Sequence, residues 1–168
     1  MAQKRLIPVV IIKEGLLVRS QLFKYHQAIG DPIPTIKRLS DWNADEIVLL
    51  NIGNSKVLDS RREDKYHNLG QNKFKDLVQQ TTKFCQCPIT IGGGLRNEDE
   101  ICELFEAGAD KIILNSICYD TPEIVRNAVN LYGSQAITAS IDIKTIKGKT
   151  TVWTDNGAKD TGLTIKEA

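Results

Sequence analysis

Apolar residues fall into short continuous runs separated by stretches with helical spacing. Leu6 to Ile12 (LIPVVII) is a nearly unbroken apolar run, as expected of a parallel strand covered on both faces. Asp31-Pro32 supplies an N-cap type residue and then proline at the first helical position. Ile33, Ile36 and Leu39 continue at helical spacing up to about Trp42. Glu46 to Ile52 (EIVLLNI) predicts a second buried strand. The polar stretch from Gly53 to Gln71, with Arg61, Arg62, Glu63, Asp64 and Lys65, predicts a long loop. Asn72 to Phe84 predicts a helix with Phe74, Leu77 and Val78 on one face. Pro88 to Ile91 (PITI) is a third strand, ending in Gly92-Gly93-Gly94. Asn97 and Glu100 form a capping arrangement for a helix carrying Ile101, Leu104 and Phe105, which Gly108 stops. Lys111 to Leu114 is the fourth strand, and Thr121-Pro122 opens a helix with Ile124, Val125, Ala128 and Val129 inward. Ala136 to Asp142 is the fifth strand. A small hairpin around Lys147-Gly148 is predicted between Lys144 and Trp153, and the polar tail holds the start of a helix at Thr164 to Ala168.

Five strands joined by four helical crossovers give an α/β fold with a parallel sheet. The pattern alone does not separate an open sheet from a barrel. The 168 residues suit one domain, and no linker, repeat or low-complexity segment divides them. Composition changes little: 41% hydrophobic and 26% charged is ordinary for a globular chain. With 22 Lys+Arg against 21 Asp+Glu, the net charge of +1 gives no reason to expect nucleic acid or a membrane surface as partner. No apolar run approaches the roughly 20 residues of a membrane span. Met1-Ala-Gln-Lys-Arg5 leads into a strand without the apolar stretch of a signal peptide, so a cytoplasmic location is expected.

Cys85, Cys87, Cys102 and Cys118 are expected to be reduced thiols rather than a disulfide framework. Cys85-Gln86-Cys87 hints at metal, but His26 and His67 lie far away in sequence, and no metal or other cofactor is expected.

Five features carry candidate chemistry. Thr90-Ile-Gly-Gly-Gly-Leu95 lies at the end of a strand before a helix, where glycine lets backbone amides approach an anion; it also suits a plain tight turn. Leu114-Asn115-Ser116 ends the next strand, and both polar side chains can donate to phosphate oxygens or satisfy turn amides locally. Phosphate is the favoured ligand when both loops are taken together. Asp142 ends the fifth strand, on the face where α/β barrels carry their active sites, and suits a general acid or base, a loop cap, or a partner for Lys144. Lys13 ends the first strand and could meet a phosphate or carboxylate, or be exposed. Arg5, Glu46 and Lys111 each begin a strand, so they share the opposite, N-terminal end and could pair into a ring.

Leu6-Ile-Pro-Val-Val-Ile-Ile-Lys-Glu-Gly15, Gly30-Asp-Pro32, Asp45-Glu46, Thr90-Ile-Gly-Gly-Gly94, Gly108-Ala-Asp-Lys111, Leu114-Asn-Ser116, Gly133-Ser-Gln135 and Ile141-Asp142 occur in order. From Arg5 to Gly162 this set resembles the cyclase subunit of imidazole glycerol phosphate synthase, the HisF family. The resemblance implies a phosphate-binding (βα)8 barrel, of which about five βα units are present, acting on a bisphosphorylated ribulosyl aminoimidazole carboxamide nucleotide. It implies a glutamine amidotransferase docked on the N-terminal face and sending ammonia through the barrel. It makes Gly94, Asn115 and Ser116 ligands of one phosphate, Asp142 a catalytic aspartate and Lys13 part of the catalytic end. Arg5, Glu46 and Lys111 become three of four residues gating the ammonia entrance.

Three departures from that family stand out. Its first catalytic aspartate is Ile11 here, which cannot transfer a proton. Its aspartate at the end of the second strand is Asn51, and the polar loop from Gly53 to Gln71 is longer than the family leads one to expect. A side branch associated with amidation of surface-polysaccharide or flagellar sugars is similar in lacking the first aspartate. There the barrel works with an amidotransferase and a separate sugar-amidating enzyme. Three functions therefore stand: ammonia channelling for sugar amidation, the cyclase (lyase) of histidine biosynthesis, and a sugar-phosphate isomerase of the sister family. A closed barrel needs about 250 residues, so the chain is expected to be the N-terminal part of one, open-edged and prone to self-association.

Overall fold

The computed structural model describes residues 4–21, 25–53, 74–155 and 157–168. They group into two units, Met1–Ile112 and Ile113–Ala168.

In the first unit, β1 (Val9–Lys13) starts later than the apolar run. Pro8 has no N–H for a ladder, yet its carbonyl still accepts from Val48 N at 2.9 Å. A tight turn through Glu14 (φ 52°) and Gly15 (φ 78°) leads into β2 (Leu16–Gln21), with Lys13 opposite Leu16. Two central residues at positive φ match the right-handed twist of antiparallel strands. β3 (Tyr25–Gly30) pairs antiparallel with β2. These two strands are additions to the predicted pattern, which contains no strand between Glu14 and Gly30.

The helix α1 (Pro32–Asp41) forms where proline and cap predict it, with Ile33 N donating to Asp31 Oδ1 at 2.8 Å. β4 (Ile47–Asn51) pairs in parallel with β1, and β5 (Ile89–Gly92) in parallel with β4. Between them, α2 (Phe74–Thr82) buries Leu77 and Val78. The predicted loop from Gly53 to Gln71 lies outside the described residues apart from Gly53. α3 (Glu98–Glu106) is capped by Asn97, whose Oδ1 accepts from Glu100 N at 2.9 Å, while Glu100 Oε2 accepts from Arg96 N at 2.8 Å. The return bond falls one residue upstream of the cap. β6 (Lys111–Leu114) begins beside β5, with Asp110 N donating to Ile89 O at 3.0 Å.

Register assigns the two faces of these strands. Val10, Ile12, Ile47, Leu49, Ile89 and Ile91 share one face and are all buried. α1 packs against β1 and β4, and Ile36 is fully buried. Val9, Ile11 and Lys13 alternate onto the other face with Val48, Leu50 and Thr90. Val9 is 54% exposed there, against 1% for Ile12 on the helix side.

The second unit holds the end of β6, then α4 (Ile117–Asp120), a short helix absent from the sequence expectation, and α5 (Pro122–Tyr132). β7 (Ile137–Ala139) neighbours β6, with Ser140 N donating to Leu114 O at 2.7 Å. The predicted hairpin is present as β8 (Asp142–Ile146) and β9 (Lys149–Thr154), turning at Lys147 (φ 50°) and Gly148 (φ 78°). β10 (Lys159–Asp160) pairs with β9. Lys144 Nζ lies 4.2 Å from the centre of the Trp153 ring.

One expectation is corrected. The fifth strand stops at Ala139, so Asp142 opens the hairpin strand β8 instead of ending the fifth strand. The tail at Thr164 to Ala168 makes a single turn, with Ala168 N donating to Thr164 O at 3.2 Å and Glu167 Oε2 accepting from both Thr164 N and Thr164 Oγ1 at 2.8 Å, as at the start of a helix. Among the described residues, no helix is long and apolar enough to cross a membrane.

Candidate functional site

The N-terminal ends of the strands in the first unit carry a closed charged cluster. Glu46 directly precedes β4, and its side chain is only 6% exposed. Its Oε2 accepts from Arg5 Nη2 at 2.7 Å and from Lys111 Nζ at 2.8 Å. Its Oε1 accepts from the Thr90 hydroxyl. Burial alone would raise the carboxyl pKa, but the bonds from Lys111, Thr90 and Arg5 outweigh it and hold it below its ordinary value. Glu46 therefore stays ionised at neutral pH, with both oxygens satisfied. Asp45 fixes the preceding backbone: its Oδ2 accepts from Leu6 N at 2.6 Å, and Asp45 N donates to Leu6 O at 3.2 Å.

The C-terminal ends of the same strands look different. Ile11 is half-buried on the face that also carries Lys13, and it pairs with Leu50. No carboxylate stands at that position. Asn51 folds into its own turn, its Oδ1 accepting from Gly53 N at 3.1 Å. Gly93 (φ 105°) presses on that residue: a Cβ there would sit 2.0 Å from Asn51 O. Gly94 (φ 68°) is the opposite case, because a Cβ there would meet nothing within 4 Å. The first glycine is required by packing, whereas the second leaves open space beside a bent backbone.

The remaining site residues belong to the second unit. Asn115 Oδ1 is buried without a hydrogen-bond partner among the described residues, so no local turn engages it. Ser116 Oγ has a partner distant in sequence rather than a turn amide, accepting from Asp155 N at 3.1 Å. Asp142 is half-buried and faces Trp153 across the hairpin. Burial raises the Tyr119 hydroxyl pKa, and the neighbouring Cys118 and Asp142 charges add to it. Tyr119, Ser140 and Ile141 line a cavity of about 290 Å³ together with Leu163 and Glu167.

Known proteins are similar to this chain along nearly its whole length. The family described as histidine biosynthesis protein matches residues 5–168. The chain belongs to the histidine biosynthesis protein family. Imidazole glycerol phosphate synthase subunit HisF of Exiguobacterium sp. is 34% identical over 167 residues, covering 99% of this chain and 61% of that protein. The HisF subunit of Oceanobacillus iheyensis is 34% identical over 164 residues, 97% of this chain and 60% of the relative. That of Campylobacter concisus is 34% identical over 158 residues, 94% and 58%. The chain thus spans about three-fifths of the length of these relatives.

The resemblance drawn from the ordered motifs is borne out, and with it the barrel class of fold. Histidine biosynthesis proteins are (βα)8 barrels, and the strand-helix alternation with β1, β4 and β5 in parallel is the repeating unit of such a barrel. Arg5, Glu46 and Lys111 come together within the first unit. Gly94 belongs to the first unit, whereas Asn115, Ser116 and Asp142 belong to the second. The sequence expectation assigned Thr90 to the glycine loop alone. Its hydroxyl belongs to the Glu46 cluster, which strand alternation could have revealed: Thr90 falls on the same face as Val48, two residues from Glu46.

Proposed function

We propose that this chain is a cyclase-subunit-like barrel segment that takes up ammonia delivered by a glutamine amidotransferase, with amidation of a surface-polysaccharide or flagellar sugar as its end use. The observation that carries this is the contrast between a complete Arg5–Glu46–Lys111 cluster and an isoleucine at position 11. Passing ammonia needs the first and not a pair of aspartates.

The cluster suits that task chemically. Glu46 is the acceptor, and Arg5, Lys111 and Thr90 are the donors. Neutral ammonia both donates and accepts, so it exchanges into such a network without changing its charge. Ammonium is repelled by the two flanking cations. The docked partner would lie on the end where these residues sit. Gly94 in the first unit would offer backbone amides to a substrate phosphate, and Asn115 and Ser116 in the second would offer short polar side chains to one. Asp142 would remain as the single aspartate for proton transfer, with Lys13 meeting negative charge on the substrate.

The second function, cyclisation to imidazole glycerol phosphate, is favoured by the relatives, which carry that enzyme's name at 34% identity. The test mixes the protein with its glutaminase partner and supplies the ribulosyl substrate with free ammonia. Channelling predicts an inert substrate and a glutaminase rate that rises on complex formation. Turnover at rates ordinary for the cyclase family would sink it.

A further inference from the structure

We propose that Cys85 and Cys87 form a redox-active dithiol, a modification site that a low-molecular-weight disulfide closes to an intrachain disulfide. The two sulfurs lie 3.6 Å apart at the entry to β5. Cys85 Sγ also donates to Cys87 O at 3.4 Å. Both residues are half-buried and line a cleft of about 360 Å³ with Thr82, Gln86, Gly108 and Asp110, which gives a small reagent access. The backbone on both sides is fixed. Cys85 N donates to Thr81 O at 3.0 Å and Gln86 N to Ser40 Oγ at 2.9 Å; Pro88 O accepts from Ile47 N at 2.9 Å, and Ile89 N donates to Asp110 Oδ2 at 2.8 Å. The fold itself holds the thiols together.

No set of three His, Cys, Asp or Glu side chains able to hold a metal occurs among the described residues. Two thiols without further ligands do not make a tetrahedral zinc site. Closure by exchange balances without any other reactant. The Cys85 thiolate attacks one sulfur of the disulfide RSSR, forms a protein–S–S–R bond and expels RS⁻, which takes up a proton. The Cys87 sulfur, giving its proton to solvent, then attacks Cys85 Sγ and expels the second RS⁻. The sum is two protein thiols plus RSSR giving one protein disulfide plus two RSH.

The order of attack follows from the environment. Burial and then the neighbouring Cys85 sulfur push the Cys87 thiol up to about 11, so the first attack falls to Cys85. Once Cys85 is bonded to R, its sulfur no longer holds the Cys87 thiol up, and Cys87 ionises more readily. Cys102 and Cys118 have no such neighbour: Cys102 Sγ contacts Glu106 Oε1 at 3.8 Å and Cys118 Sγ contacts Leu114 O at 3.6 Å.

Tryptic peptides separate the possibilities, because Cys85 and Cys87 share the peptide Phe84–Arg96, whereas Cys102 lies in Asn97–Lys111 and Cys118 in Ile112–Arg126. The protein is titrated with oxidised against reduced glutathione, quenched in acid, alkylated, digested and weighed. The shared peptide is expected to lose two hydrogens, with at least roughly tenfold more intrachain disulfide than glutathione adduct, since a thiol already in contact outcompetes free glutathione. Cys87→Ser should stop at a glutathione adduct on Cys85, which also reports whether the segment is intact. The proposal is overturned if the peptide carries glutathione on both cysteines, or remains doubly alkylated throughout the titration.

Discussion

The two ends of the strands in the first unit differ in what they keep. At the N-terminal end, Glu46 is buried yet fully paired, by Arg5, Lys111 and Thr90. Within β1, position 11 carries a hydrocarbon, and Asn51 at the C-terminal end of β4 uses its side chain to close its own turn. Buried charge survives only where several donors surround it. The contrast therefore separates an end that carries a buried, fully paired carboxylate from strands that carry a hydrocarbon at position 11. It also explains why family membership fixes the architecture more firmly than the reaction.

The sharpest way to break the contrast is to place a carboxylate at position 11. Ile11→Asp, assayed for turnover of the ribulosyl substrate with free ammonia, is expected to raise the rate by about 10²- to 10⁴-fold, the usual worth of a positioned acid or base. An unchanged rate would move the deficit from Ile11 to Asn51 or the phosphate loops.

Next in size is Glu46→Gln, which leaves Arg5 and Lys111 facing a neutral amide. Urea unfolding at neutral pH should show a loss of about 2–3 kcal/mol, reduced from the fully buried case because both cations are partly exposed. The effect has a predicted sign with pH. Glu46 has a lowered pKa in the folded chain, so its stabilisation is present above the ordinary value of 4.5 and fades as pH falls through the folded value. Wild type and Glu46→Gln should therefore converge in acid; a gap that widened there would contradict the cluster.

The smallest effects distinguish two adjacent glycines. Gly93→Ala forces a methyl group into the Asn51 carbonyl and should cost about 2 kcal/mol or more. Gly94→Ala meets open space and should cost only about 1 kcal/mol, from its positive φ. If phosphate sits at this loop, Gly94→Ala should still weaken inorganic phosphate binding, measured by calorimetry. Equal stability losses at the two positions would remove the packing distinction between them.

Much of this was legible in sequence because the signals are local. Asp31-Pro32 and Asn97 with Glu100 announce helix starts through bonds spanning two or three residues. Lys147-Gly148 announces a turn for the same reason. Glu14-Gly15 carries a similar signal, but β2 and β3 (LLVRSQ and YHQAIG) mix charge and polarity too irregularly to read as strands. Asp142 was misplaced by three residues because only Ser140 and Ile141 separate the strand from the hairpin, too short a break to read from pattern.

Residue identity alone settled the βα order, the caps, the family and the hydrocarbon at position 11. Each is written in residue identity or short spacing. Tertiary structure alone decided that Glu46 is fully satisfied, that Thr90 completes its shell, that Gly93 must be glycine, and that Cys85 and Cys87 touch. Those facts depend on which strands lie side by side and in what register. Apart from the thiols, they join residues some 40 to 65 positions apart, a separation over which local propensity carries no information.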